Sequence, residues 1–480
     1  MKQIKRLFGA QDMTEGSPLV SLVKFSVPLL IGNMAQQLYS TVDSIIVGRY
    51  VGDTALAAVG AVMPIINLLL VFFMAIATGA GILVSQTFGA RNWKLLDKTI
   101  GNALLLVFLS SVAIMAVALS LARPILTVLD TPPEIFNMSL DYLRIVFIGI
   151  LGFGFYNIIS GILRGLGDSI TPLIFLLITT VMNTVLDLLF VAGLDMGVAG
   201  AALATIISQF ISAILCMIHL LRMKDVVTVN MQTIRPDFPL IKRLLRVGMP
   251  AGITQAIFSL AMVVVQALTN SMGYQVITTT TAVMRVDSFA MMPNFTFGMA
   301  ITTYVGQNIG ARRMDRVDQG SKVAIKLALF VSATLTALLL LFGSNLIHLF
   351  TETPEIITLG ERAIRILAAG YLAMTVTQIY GGIMRGAGDT MPTMWISMFT
   401  TVTVRVPLAY GLAYLTRSAL WPNGAPDALF FSLLSAWSMN AVLTFLWYRR
   451  GKWRQKKIMD IGHEHESVPA SAPDKAGTHA

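Results

Sequence analysis

The sequence is poor in charged residues and in cysteine, and both shortages exclude whole classes of protein. Only 12% of the 480 residues are charged, against about 25% in soluble domains. The hydrophobic fraction is 55% and the mean hydropathy is +0.73. A large soluble protein is therefore excluded, because most of this surface needs lipid as its solvent. Cys216 is the only cysteine, so neither an intrachain disulfide nor a cysteine metal cage is possible.

Several familiar segments and motifs are also missing. No apolar core precedes Pro18, so we expect no cleavable signal peptide and a first apolar run that stays in the membrane. There is no HExxH, P-loop or GxSxG motif. GLGD (165–168) and GAGD (386–389) match intramembrane aspartyl proteases, but each follows an Arg and precedes a Pro. That context is typical of turns and helix starts, so we expect no enzyme.

What the sequence has in abundance is apolar runs of about 20 residues, the length of a membrane-spanning helix. We count twelve, and the second and eighth, residues 55–88 and 276–309, are the longest. The pattern predicts an all-α integral membrane protein with twelve transmembrane helices.

The chain repeats itself at a fixed offset of 221 residues. VSQTFGAR (84–91) returns as VGQNIGAR (305–312), and GILRGLGD (161–168) returns as GIMRGAGD (382–389). Two homologous six-helix lobes joined head to tail are typical of a transporter that rocks one half against the other. We predict lobes at 18–221 and 243–449, a cytoplasmic N-terminus at 1–17, a linker at 222–242 and a disordered cytoplasmic tail at 450–480.

The basic residues are distributed unevenly between the two ends of the predicted spans. Of the 35 Lys and Arg, 27 lie in the N-terminus, the even-numbered loops and the tail, whereas six lie on the opposite side and two within spans. This asymmetry places both termini in the cytoplasm. It also explains the net charge of +10 without a nucleic-acid partner.

Polar residues recur on one face of the first span. Asn33, Gln36, Ser40 and Asp43 are spaced 3, 4 and 3 residues apart, so they share a helical face. A carboxylate inside a span is unfavourable by about 2.5–3.5 kcal/mol on insertion scales. Asp43 therefore needs a partner, a proton or a cation.

A second polar face runs along the fifth span. Thr180, Asn183, Thr184 and Asp187 lie on it, and Thr205 lies a short way into the sixth span. This group can converge with the first span to exchange a proton or to hold Na⁺ through oxygen ligands. A purely structural polar patch is the alternative.

The second lobe carries Arg285, Asp287 and Arg405 inside its spans. Arg285 and Asp287 are two residues apart, so they do not face each other on a helix. We favour a structural role for these charges over ion coupling. Gln255 and Gln378 are candidates for the wall of a cavity.

Together these motifs resemble the multidrug and toxic compound extrusion (MATE) family, in its bacterial branch, over about residues 15–450. The resemblance rests on VDSIIVGRYVGDTALAAVG (42–60), the two repeated motifs, RGxGD in both lobes and NTVLD (183–187). It implies two six-helix lobes in a V around a central cavity. It also implies export of amphiphilic, often cationic, compounds in exchange for H⁺ or Na⁺. We expect drug substrates, membrane lipids as partners, no cofactor, an inner-membrane location and a functional monomer.

The resemblance also implies roles for individual residues. Asp43, Asn183, Asp187 and Thr205 match the family's N-lobe cation site, a possible Na⁺ site. The expected substrate-binding set is Asn33, Gln36, Tyr39, Asn157, Thr180, Gln255, Asp287 and Gln378. The seventh span holds no acid and Glu361 lies at the outer edge of the tenth, which moves the cation site to the first lobe.

The alternative function is a flippase for a lipid-linked sugar or polyprenyl carrier. Such proteins usually need basic residues in the cavity, for which only Arg285 and Arg405 are candidates in the sequence.

Overall fold

The computed structural model is nearly all helical over the residues that it describes, 10–230, 233–348 and 351–455. The side chains of residues 38–45, 47, 48, 53 and 56 lie outside this description. The described ranges form twelve long helical segments: α1 (Pro18–Tyr50), α2 (Asp53–Gly89), α3 (Trp93–Val128), α4 (Pro133–Gly165), α5 (Ile170–Gly193), α6 (Gly197–Arg222), α7 (Phe238–Ser271), α8 (Tyr274–Gly310), α9 (Met314–His348), α10 (Pro354–Gly386), α11 (Thr390–Leu415) and α12 (Asp427–Arg449).

Two of these segments change their helical type. The last turn of α5, Leu188–Gly193, is a π-helix, and so is the middle of α11, Phe399–Arg405. A short 3₁₀ helix, Lys452–Gln455, follows α12.

The helices confirm the predicted fold class. Eleven segments are long and apolar enough to cross a membrane, by length and composition. The other, α8, carries Arg285 and Asp287 but is as long as α2, at 37 residues. Large apolar side chains face outward, and Leu260, Phe330 and Leu341 are each more than two-thirds exposed. Such a surface suits lipid rather than water.

The 221-residue repeat is visible in the backbone. The helices α2 and α8 start and end 221 residues apart, and so do α4 and α10. Gly52 and Gly273 precede α2 and α8 with φ angles of 99° and 96°. Because L residues rarely adopt this conformation, both lobes use glycine at the same entry to the long helix.

The two lobes touch through α2, which packs on α7 and α8, and through α1, which packs on α8. The contact is closest at the end where α2 and α8 finish, beside residues 10–17; we call this end the basic face. There a Cβ on Gly89 would lie 1.9 Å from the Gln307 carbonyl oxygen, and one on Gly310 would lie 1.9 Å from that of Gln86. Only glycine allows this approach.

The lobes diverge toward the other end, which we call the opposite face. Within the described residues, nothing lies within 4 Å of a Cβ built on Gly52, Gly60 or Gly273. The lobes are therefore joined at the basic face and separated toward the opposite face.

Candidate transport sites

The polar group of the fifth and sixth spans comes together in the first lobe. Asn183 and Asp187 are both 1% exposed, since they lie one turn apart on the face of α5 that packs on α6. With the amide oriented to satisfy its neighbours, Asn183 Nδ2 donates to Asp187 Oδ2 at 2.9 Å. Asn183 Oδ1 accepts from the backbone N–H of Thr205 at 3.3 Å. One amide therefore links the carboxylate to α6.

Two threonines extend this group. Thr184 Oγ1 donates to the Thr180 carbonyl at 3.1 Å. The buried hydroxyl of Thr180 has no hydrogen-bond partner in the described structure. The side chains of Tyr39 and Asp43 lie outside the described residues, so the part of the predicted cation site on α1 stays a prediction.

The polar stripe of α1 begins at the contact between lobes. Asn33 Nδ2 donates to Thr296 Oγ1 on α8 at 3.1 Å, and Gln36 is exposed. Within the described residues, neither residue lines one of the two cavities found, and nor does Thr180. Their predicted roles in substrate binding stay predictions.

A cavity of about 340 Å³ lies between the lobes. Asn157, Gln255 and Gln378 line it, as a substrate cavity requires, and so do Arg164 and Arg385. Asn157 Nδ2 donates to the Phe153 carbonyl at 2.9 Å, and Arg385 Nη2 donates to Gln378 Oε1 at 3.4 Å. No acid is among the described residues that line this cavity.

A larger cavity of about 570 Å³ lies inside the second lobe. Its walls include Asp287 of α8, whose Oδ1 accepts from the Tyr371 hydroxyl of α10. Arg405 of α11 faces Asp287's cavity from another helix and is 6% exposed. Gln255 and Gln378 line this cavity too, so they stand where the two cavities meet.

The repeated motifs build the contact at the basic face. Gln86 Nε2 donates to the Gly386 carbonyl at 2.8 Å, and Gln307 Nε2 donates to the Gly165 carbonyl at 3.1 Å. Donor and acceptor are each shifted by 221 residues, so the two bonds are related by the pseudo-symmetry of the lobes. We call this pair of bonds the glutamine gate.

The segment at residues 10–17 covers the same contact. Met13 is 1% exposed, and its N–H donates to Gln307 Oε1 at 2.8 Å. Arg316 donates to the carbonyls of Met13, Glu15 and Gly16 at 3.0–3.2 Å. On the first lobe, the Gln11 N–H donates to the Leu166 carbonyl at 3.0 Å. The segment therefore bridges both lobes.

The sequence reasoning missed two of these features. Arg164 and Arg385 are counted there with the basic loops, yet they line the cavity between the lobes. The signal was available, because both belong to the repeated RGxGD motif. The same holds for the glutamines of the gate, which occupy the third position of VSQTFGAR and VGQNIGAR.

The acids of the GxGD motifs serve the turn that follows them. Asp168 Oδ1 accepts from the N–H groups of Ile170 and Thr171 at 3.2 and 3.0 Å, and Oδ2 lies 3.2 Å from His219 Nε2. This is the geometry of a helix cap.

Comparison with known proteins now assigns the family. Residues 28–189 and 250–411 each match the MatE family. The chain belongs to the MatE family. The two matches cover most of both lobes, in keeping with the repeat of the helices.

Curated relatives of this MatE protein are bacterial. It is 30% identical to the probable multidrug resistance protein YoeA of Bacillus subtilis (strain 168), over 93% of this chain and 97% of the relative. It is 26% identical to the probable multidrug resistance protein NorM of Thermotoga maritima, over 91% and 94%. The MatE chain is thus a multi-pass membrane transporter of a multidrug efflux family, and not an enzyme.

Solved structures share its fold. A MATE transporter in complex with MaL6 superposes with a TM-score of 0.85 at 24% identity, over 92% of this chain and 99% of the other. A multidrug resistance MATE family transporter of the MOP superfamily, described as outward-facing, gives the same TM-score and identity over 93% and 98%.

Proposed function

We propose that this MatE protein is a cation-coupled antiporter that exports small amphiphilic compounds, often cationic, by alternating access. In this proposal the basic face is cytoplasmic, and the protein works as a monomer in the inner membrane with H⁺ or Na⁺ as the transported ion and no cofactor. The glutamine gate supports alternating access, because it joins the lobes at one end only. The described state then opens to the outside.

The observation that carries the ion coupling is the buried carboxylate of Asp187. It lies with the amide of Asn183 and the backbone of Thr205 between two helices of the first lobe. A carboxylate buried in a span is unfavourable as a bare charge, so it is suited to take up a proton or a cation. Carboxylate, amide and hydroxyl oxygens are also the ligands that hard cations prefer.

The experiment measures dye efflux from proteoliposomes with a Na⁺ gradient, a pH gradient or neither. Asp187→Asn keeps the shape of the side chain and removes its charge, so we expect gradient-driven efflux to fall at least about tenfold. Asp141→Asn on α4, where the side chain is exposed, is the matched control and should transport normally. Full gradient-driven efflux by folded Asp187→Asn protein contradicts the proposal.

A second measurement identifies the ion. If Na⁺ is the coupling ion, its binding should weaken as the pH falls, because protons compete for the same carboxylate. Replacing both Asp187 and Asn183 should be little worse than replacing one, because residues of a shared site are not additive. Additive losses would place them in separate sites.

One observation favours the second candidate, a lipid-carrier flippase. The cavity between the lobes is lined by Arg164 and Arg385, which face it from related positions in the two lobes. Guanidinium groups bind phosphate oxygens in a bidentate manner. Flipping of a fluorescent lipid-linked substrate in the same proteoliposomes, without dye efflux, would support this function instead.

A further inference from the structure

The two cavities form one continuous space. Thr254, Gln255, Gln378 and Ser397 line both of them. The space therefore runs from the contact between the lobes into the second lobe, where Arg405 lies in its wall. A ligand that enters between the lobes has a path to Arg405.

Arg405 is buried without the partners that a guanidinium group requires. It is 6% exposed, and its Nε and Nη1 atoms have no hydrogen-bond partner in the described structure. Nη2 lies 3.2 Å from the sulfur of Met262, which is a weak acceptor. The guanidinium carbon lies 5.7 Å from the centre of the Phe258 ring. A buried charge left in this state is unfavourable, unless a ligand supplies the acceptors.

The helix that carries Arg405 is distorted at this point. The π-helical part of α11 ends at Arg405, two residues before Pro407. Pro407 has no N–H group to bond one turn back, and hydrogen bonds in a π-helix join residues five apart. Thr400 and Arg405 consequently line the same cavity. Insertions of this kind are frequent at functional sites.

The acid nearest at hand does not neutralise the cavity. Asp287 accepts a hydrogen bond from Tyr371, and no ion pair joins it to Arg405 in the described structure. Across both cavities the described lining carries three arginines, Arg164, Arg385 and Arg405, and one acid. The lining is therefore positive overall and complementary to an anion.

The remaining wall of the second-lobe cavity is apolar. Phe258, Phe430 and Trp437 line it together with several methionines. Aromatic and thioether side chains pack against flat apolar ligands of varied shape.

We propose that this cavity binds a small aromatic amphiphile that carries an acidic group, with the acid on Arg405 and the apolar part against Phe258 and Trp437. The inference rests on the proposed transport function and adds to it a substrate class, anionic or zwitterionic, beyond the cations expected from the family. Asp287, on another wall, is placed to receive the amine of a zwitterion.

The test measures equilibrium binding to purified full-length protein in lipid nanodiscs by fluorescence anisotropy. The probes are carboxyfluorescein, an aromatic anion, and rhodamine 6G, a cation of similar ring structure. Wild-type protein should bind both. Arg405→Gln should weaken carboxyfluorescein binding at least about tenfold, because a charged hydrogen-bonding partner is lost. It should leave rhodamine 6G binding unchanged or tighter.

Two variants control for misfolding. Arg405→Lys keeps the charge and loses the planar fork, so it should bind carboxyfluorescein with intermediate affinity. Arg417→Gln removes an exposed arginine that also stacks on an aromatic ring, Tyr414 at 5.1 Å. It should bind both probes as the wild type does.

Three results overturn the proposal: no carboxyfluorescein binding by the wild type, equal binding by Arg405→Gln, or binding of farnesyl pyrophosphate in competition assays without binding of carboxyfluorescein. The last result would assign the arginines to a lipid carrier. Ion-gradient-driven efflux of rhodamine 6G is measured separately. Its loss would contradict the proposed antiport, whereas anion binding could persist without it.

Discussion

Gly89→Ala should open the contact between the lobes at the basic face. An alanine Cβ there would lie 1.9 Å from the Gln307 carbonyl oxygen and 2.6 Å from its carbon, whereas an ordinary contact starts near 3.2 Å. The helices must therefore separate by about 1.3 Å. The same movement lengthens the two bonds of the glutamine gate, now 2.8 and 3.1 Å, beyond hydrogen-bonding distance.

The magnitude follows from the loss of the gate. Two hydrogen bonds at about 1 kcal/mol each destabilise the closed contact by about 2 kcal/mol. That shifts the balance between the two states about 30-fold toward the one that is open at the basic face. The open state has no clash, so it receives the population. Gly310→Ala, the pseudo-symmetric change, meets the Gln86 carbonyl at 1.9 Å and should act alike.

The assay is a distance measurement between spin labels in nanodiscs. Labels at Thr54 and Gln275, exposed positions next to the glycines that precede α2 and α8, report on the opposite face in a Cys216→Ser background. We expect Gly89→Ala to shorten this distance. Gly60→Ala, on the same helix with nothing within 4 Å, gains the same helix propensity and should match the wild type. Identical distance distributions in all three proteins would refute the reasoning.

Two further predictions concern the basic face. Arg316→Gln should raise hydrogen exchange in residues 10–17 at least about tenfold, because the charged donors to Met13, Glu15 and Gly16 are lost; Arg313→Gln, at an exposed site, is the control, and unchanged exchange would contradict a bridging role. Asp168→Ala should lower thermal stability by about 1 kcal/mol through loss of the cap on α5, while transport per folded molecule is kept. Asp225→Ala in the exposed linker should change neither quantity, and a transport defect in folded Asp168→Ala would point to a direct role.

The sequence by itself determined the helices and their twofold repetition. Run length and hydropathy decide which segments cross a membrane, and these are local properties. For this reason the long runs at 55–88 and 276–309 reappear as α2 and α8. The 3.6-residue period likewise predicts that Asn183 and Asp187 share a face, as the structure shows for their side chains.

Only the tertiary structure decided which helices meet and what faces the cavity. Gln86 bonds to Gly386, 300 residues away, and a single sequence carries no signal for such a distant pairing. Arg164 and Arg385 lie at helix ends that read as basic loops, but the packing of the lobes turns them into the shared cavity. The π-helical turn before Pro407 changes the register of α11 and thereby directs Arg405 inward. Periodicity assumes a regular helix, so it could not place that side chain.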